Sequence, residues 1–120
     1  EHDDKPMIQG SKGQIEQVFM NVLKNAVESI QQKETLHHEC IRIRTINTNN
    51  KVQVKISDTG TGMNAFVQKN LFVDCYTTKE NGHGLGMAIS KRIIEDHDGF
   101  IYFKSELGIG TEFMIEFPIK

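Results

Sequence analysis

Three glycines at alternate positions, Gly82, Gly84 and Gly86, lie within Lys79-Glu80-Asn81-Gly82-His83-Gly84-Leu85-Gly86-Met87, just ahead of an amphipathic run that begins near Leu85. Glycine lets backbone N–H groups approach an anion closely, and a following helix N-terminus adds positive potential. The stretch therefore reads as a phosphate-binding loop that opens a helix. It is neither of the two common loops of that kind. The dinucleotide pattern G-x-G-x-x-G needs glycine at Met87, and the P-loop needs glycine there too, followed by Lys and Ser or Thr where Ala88 and Ile89 stand.

Three further groups offer complementary chemistry. Asp58 ends a β-rich run and is followed by Thr59-Gly60-Thr61-Gly62-Met63. An ionised carboxylate accepts hydrogen bonds and donates none, which suits the exocyclic amine of adenine, with Gly60 and Gly62 leaving room for a planar base. Asn21 and Asn25 present amide oxygens four residues apart. Mg²⁺ takes oxygen ligands, keeps several waters and is usually held together with substrate phosphates, so one protein amide suffices. Thr77-Thr78-Lys79 adds two hydroxyls and an ammonium for phosphate oxygens. Alone, each has a plainer reading: an Asp-Gly turn, two asparagines on a solvated helix face, an ordinary polar loop.

The elements that position these groups follow from periodicity. Ile15, Val18, Phe19, Val22, Leu23, Ala26, Val27 and Ile30 fall on one face of a helix over 12–32, with Ser11 as its N-cap. Asn21, Asn25 and Glu28 form a polar stripe, with Asn25 at the margin of the apolar face. Residues 40–47 and 51–57 alternate as two strands of a hairpin, joined by Thr48-Asn49-Asn50. Asn64 caps a short helix over 65–70, and 71–81 has no usable period. Leu85, Ala88, Ile89 and Ile93 mark another helix, ended by Gly99. Two last strands, 100–105 and 111–119, flank the Gly108-Ile109-Gly110 turn, and Met7 to Gly10 reads as an edge strand. The order β-α-ββ-α-α-ββ predicts an α+β two-layer sandwich, with helices over one face of a mixed, mostly antiparallel sheet.

Composition narrows the class. The 120 residues suit a single domain over 1–120, and 38% hydrophobic with 25% charged residues is ordinary for a soluble chain. A net charge of −2 gives no electrostatic footprint for nucleic acid. No run approaches a membrane span, so the expectation is a cytoplasmic fragment without membrane contact of its own, whose parent could still carry an anchor upstream. Cys40 and Cys75 lack metal or disulfide spacing and are expected to be reduced thiols.

Taken in order, Asn-x-x-x-Asn-Ala at 21–26, Asp-x-Gly-x-Gly at 58–62, Phe72 followed by Thr77-Thr78-Lys79, and Gly-x-Gly-Leu-Gly at 82–86 resemble the ATP-binding catalytic domain of bacterial sensor histidine kinases. They correspond to its asparagine box, first glycine box, phenylalanine box and second glycine box, and Gly108 to Phe113 looks like its final glycine turn. The resemblance covers 7–118 and implies the Bergerat fold, with Mg·ATP between the helices and a lid. It implies Asn25 as Mg²⁺ ligand with Asn21 beside the phosphates, and Asp58 on the adenine amine in a pocket shaped by Gly60, Gly62 and Met63. Thr111 would contact the base through water. Thr77, Thr78 and Lys79 would lie in the lid, with Lys79, Asn21 and Asn25 as the catalytic set, and Gly82, His83, Gly84, Leu85 and Gly86 would hold the phosphates.

Position 21 separates relatives. ATPases of this superfamily place a basic glutamate four residues before the Mg²⁺ asparagine, whereas Asn21 takes no proton at neutral pH. That fits transfer of the γ-phosphate to an imidazole, already nucleophilic when neutral. The implied partners are a separate dimerisation and phosphoacceptor domain and a downstream response regulator. The chain departs from the family at Asp74-Cys75, where Pro-Phe is usual, and at His83, where threonine is common; its lid is short, as in sporulation and nitrogen-regulatory kinases. His38-Glu39 lacks the Asn-Pro or Thr-Pro of a phosphoacceptor and reads as surface. The alternatives are an ATPase with a lost base and a degenerate nucleotide-binding interaction module.

Overall fold

A computed structural model describes residues 10–34, 38–73 and 85–119. The elements are α1 (Lys12–Gln31), β1 (Ile41–Asn47), β2 (Lys51–Asp58), α2 (Ala65–Asn70), α3 (Leu85–Asp96), β3 (Phe100–Glu106) and β4 (Gly110–Pro118). The four strands form one sheet in the order β1-β2-β4-β3, and every described ladder is antiparallel. Of the strand expected at Met7 to Gly10, residues 7–9 lie outside the described residues, and Gly10 is a bend.

Helix α1 starts where the Ser11 side chain accepts from Gln14 N at 3.3 Å, removing one of the unpaired donors of the first turn. Its Val18, Val22 and Ala26 are buried. Val18 and Val22, with Ile93 and Ile94 of α3, form one core cluster with Val52 and Ile56 of β2 and Phe113, Ile115 and Phe117 of β4. Each such side chain contributes roughly 1.5–3 kcal/mol when fully buried. The two helices thus sit side by side on one face of the sheet, α1 over β2 and β4 and α3 over β3. Strand β1 is less well covered: register places Ile43 opposite Ile56 on the helix-bearing face, yet it remains 56% exposed. Alternation identifies a face and does not say whether a helix reaches it.

Helix α2 begins as its sequence predicts, whereas α3 ends differently. Asn64 caps α2, its Oδ1 accepting from Val67 N at 2.8 Å. At the end of α3, Gly99 N donates to Ile94 O at 2.8 Å and Asp98 N to Glu95 O at 3.0 Å. The left-handed residue is Asp98, with φ 63°, not the Gly99 that the sequence suggests as the cap. Gly99 is required for another reason: a Cβ there would run into the Glu116 carbonyl and crowd Phe117.

His97 then ties this end of α3 to the start of α1. Its Nδ1 donates to Ile93 O at 2.7 Å, which leaves Nε2 to accept from Ser11 N at 3.1 Å. The ring meets Phe117 edge to face, with centroids 6.3 Å apart. Gly10 is small because the imidazole occupies the space a Cβ would need.

Candidate functional site

Asp58 closes β2 on the helix-bearing face and is 9% exposed. Its Oδ1 accepts from Gly60 N at 2.8 Å. The carboxyl also takes hydrogen bonds from the backbone of Thr111, its register partner on β4, and from the side chain of Ser29. Burial pushes its pKa above the ordinary carboxylate range, and these three hydrogen bonds restrain the rise. The result is a fixed acceptor whose backbone and orientation are set before any ligand arrives.

Ser29, like Ser105 below, is a member of this site that sequence reasoning missed. It lies four residues after Asn25 and eight after Asn21, so it completes a stripe spaced at one turn, where the sequence pattern puts Glu28. Its hydroxyl accepts from Thr61 N at 3.0 Å and its carbonyl accepts the same N–H at 3.2 Å. A Cβ on Gly60 would collide with Ser29. Gly62 has φ 72°, and a Cβ there would collide with the Glu106 carbonyl. The two glycines thus let the 59–63 turn wedge between α1 and the β3–β4 end, rather than simply leaving a void for a base.

The other wall is equally tied. Ser105 Oγ accepts from Met63 N at 2.8 Å and shares a 2.8 Å hydrogen bond with Thr111 Oγ1. Gln68 Nε2 donates to Met63 O at 2.8 Å and to Ser105 O at 3.3 Å. Thr111 is 7% exposed. Met63, Thr111 and Asp58 are therefore one hydrogen-bonded unit reaching across β2, β4 and β3.

Asn21 and Asn25 are both half-buried on α1. Asn21 Nδ2 donates to Gly86 O at 3.1 Å and to Ser90 Oγ at 2.9 Å, while Ser90, fully buried, donates to Gly86 O at 2.8 Å. The amide clamps α1 to the first turn of α3. Gly86 lies in ordinary contact with Asn21, and a Cβ would find 3.7 Å of space. Leu85 begins α3. Thr77, Thr78, Lys79, Gly82, His83 and Gly84 lie outside the described residues, as do Asp74 and Cys75. Phe72, close before that stretch, packs edge-on against Phe103 at 5.8 Å, with Lys91 Nζ 5.0 Å above its ring.

Among the described residues no three His, Cys, Asp or Glu side chains come together as a metal cage. Cys40 is a free, exposed thiol. No helix among them is long and apolar enough to cross a membrane. A shallow hollow of about 350 Å³ at the ends of β2, β4 and β3 is lined partly by Ser57, Lys104 and Glu112 of the opposite sheet face.

Comparison with known proteins is consistent with this geometry. The family model described as histidine kinase-, DNA gyrase B-, and HSP90-like ATPase matches residues 10–120. Sporulation kinase E of Bacillus subtilis is 39% identical over 98% of this chain and 15% of its own length. Sporulation kinase A of the same organism is 38% identical over 98% of the chain and 18% of its own, and the Escherichia coli kinase AtoS is 38% identical over 88% and 17%. The chain thus spans well under a third of these relatives. A nucleotide-free catalytic domain of the histidine kinase ThkA superposes with TM-score 0.75 at 29% identity, covering 92% of this chain and 70% of that one. The mycobacterial sensor histidine kinase MprB shares the fold at TM-score 0.78 and 20% identity, over 94% and 75%.

Proposed function

We propose, from the premise that this chain belongs to the family of histidine kinase-, DNA gyrase B- and HSP90-like ATPases and has its Bergerat fold, that it binds Mg·ATP and donates the γ-phosphate to a histidine on a separate phosphoacceptor domain. The observation that carries this reading is Asp58: a buried carboxylate, held by Gly60, Thr111 and Ser29, beside a helix pair whose polar stripe leads from Ser29 through Asn25 to the start of α3. Such an acceptor matches the adenine amine, and the stripe leads from the base toward the phosphates.

The residues fit the metal as well. Asn25, half-buried on the same stripe, is the side chain whose amide oxygen would hold the ion together with phosphate oxygens and water. When bound, Mg²⁺ would neutralise charge on the phosphates. Asn21, Asn25 and Lys79 are the proposed catalytic set, with Thr77, Thr78, Gly82, His83, Gly84, Leu85 and Gly86 on the phosphates and Gly60, Gly62, Met63 and Thr111 around the base. Asn21 acts by keeping α1 and α3 in register through Gly86 and Ser90. Its amide takes no proton at neutral pH, so no base for activating water stands at that position. This favours transfer to an imidazole over hydrolysis, with positioning and charge stabilisation supplying the rate.

The proposed setting is a cytoplasmic two-component or phosphorelay system with a response regulator downstream. The test is incubation with γ-labelled Mg·ATP and a supplied phosphoacceptor domain. Acid-labile label on that domain's histidine supports the reading; steady release of free phosphate without labelling favours an ATPase instead.

A further inference from the structure

The solvent face of the sheet carries a pattern that the nucleotide site does not use. Register aligns Arg44 with Lys55, Lys55 with Met114, and Met114 with Tyr102, so one row crosses all four strands. Two cations stand directly opposite one another, an arrangement that works against sheet stability. Arg42, two residues away on the same face of β1, adds a third. None of the three has an ion pair or hydrogen-bond partner among the described residues. Two acids of this face are engaged: Glu116 pairs with Lys51 at 3.2 Å, and Glu112 accepts from Ser57 at 3.4 Å; a third, Glu106, is exposed at the end of β3, four residues beyond Tyr102. At the far end of the row Tyr102 is 50% exposed and stacks on Phe100, 58% exposed, at 6.2 Å.

Charges on an edge strand guard against edge-to-edge pairing, which accounts for Arg42 and Arg44. Lys55 stands on the interior strand β2, where no edge needs guarding.

We propose that this row is a docking surface for an acidic amphipathic helix of a protein partner, with carboxylates over Arg42, Arg44 and Lys55 and an apolar side chain over Met114 and Tyr102. Four strands at about 4.8 Å span roughly 14 Å, the length of about nine or ten helical residues. Arg, Met, Tyr and Phe are the side chains enriched in protein interfaces. A nucleic acid or an anionic membrane fits less well. The chain's net charge of −2 gives no long-range attraction for an extended polyanion, whereas a short acidic helix meets only the local cations of the row.

The test uses the 120-residue chain and a fluorescent synthetic helical peptide of about fourteen residues, with glutamates at one end and Phe and Leu near the other. Anisotropy is expected to report binding that weakens with salt, falls about tenfold or more for Arg44→Glu combined with Lys55→Glu, and falls severalfold for Tyr102→Ala. Thermal melts of these exposed-site variants, and the separate variant Arg42→Glu, check that lost binding is not lost folding. Oligo(dT) and phosphatidylcholine vesicles containing about a quarter phosphatidylglycerol are expected not to compete. The proposal is overturned by absence of peptide binding up to millimolar concentration, by equal affinity of variants and wild type, or by competition from the oligonucleotide or the vesicles.

Discussion

Ser29 of α1 places its hydroxyl on the carboxylate of Asp58 at the end of β2, and also receives the N–H of Thr61 at 3.0 Å. One side chain thus joins the helix that carries Asn25 to the turn that forms the proposed base pocket. Replacing it with Ala removes a hydrogen bond from Asp58 and the side-chain acceptor of Thr61. Ser29→Ala is expected to weaken Mg·ADP binding by about 1 kcal/mol, close to fivefold, with the far-UV circular dichroism unchanged. Calorimetry of the variant reads this directly, and Ser29→Thr, which restores the hydroxyl, should recover part of the loss.

Asp58 also gives a sign for pH dependence. Its folded pKa lies above the ordinary carboxylate range because burial disfavours the charge. The folded state therefore holds this proton more tightly than the unfolded one, and the associated stability is present at low pH and lost as pH rises through the raised value. Urea unfolding of wild type and Asp58→Asn across the acidic range should show the variant gaining on the wild type as pH rises, levelling off once Asp58 is ionised in both states. On the role proposed for Asp58, nucleotide binding runs the other way, since the ionised acceptor is the form that takes the adenine amine. Affinity for Mg·ADP should fall on acidification, starting above the usual carboxylate range.

Glycine substitutions separate close approach from mere flexibility. Gly13 lies in α1 with nothing within 4 Å of where a Cβ would stand, so Gly13→Ala should stabilise by about 0.5 kcal/mol. Gly62→Ala meets both a positive φ and the Glu106 carbonyl, and should cost about 2 kcal/mol or more. Chemical denaturation midpoints should move in opposite directions for these two variants.

Much of this fold was legible beforehand because its elements are strongly periodic. The helix over Lys12–Gln31, the alternation of Phe113, Ile115 and Phe117, and the Asn64 cap all follow from local rules that the structure obeys. The turn after β2, with Asp58 ahead of Gly60 and Gly62, was legible as well. The roles of Ser29, Ser105 and Gly99 were not, because each depends on a contact with a distant segment: Ser29 with Thr61, Ser105 with Met63, Gly99 with the Glu116 carbonyl. A serine or glycine has no local signature of what will cross it. Exposure of Ile43 was hidden for the same reason, since cover by a helix is a property of packing and not of period.

Asn21 should prove to be a clamp in its own right. Asn21→Asp puts a carboxylate where an amide donates to the Gly86 carbonyl and the Ser90 hydroxyl. Loss of the donor and repulsion from the carbonyl should destabilise by about 2 kcal/mol, measured by urea unfolding. Phosphotransfer should fall with it, and ATP hydrolysis should not rise.

His97 supplies the last variant. Without its imidazole, Ser11 N loses its acceptor and the ring contact with Phe117 disappears. His97→Ala should cost about 2 kcal/mol and speed amide exchange in the first turn of α1, read by hydrogen exchange.

The central claim is that Asp58 selects adenine, and calorimetry of Mg·ADP against Mg·GDP, on wild type and on Asp58→Asn, tests it most directly. Guanine presents a carbonyl where adenine presents its amine, so it sets an acceptor against an acceptor. Micromolar binding of Mg·ADP by the wild type is expected, with Mg·GDP at least about tenfold weaker and Asp58→Asn losing the preference. Absence of Mg·ADP binding, or equal affinity for the two nucleotides, would contradict it.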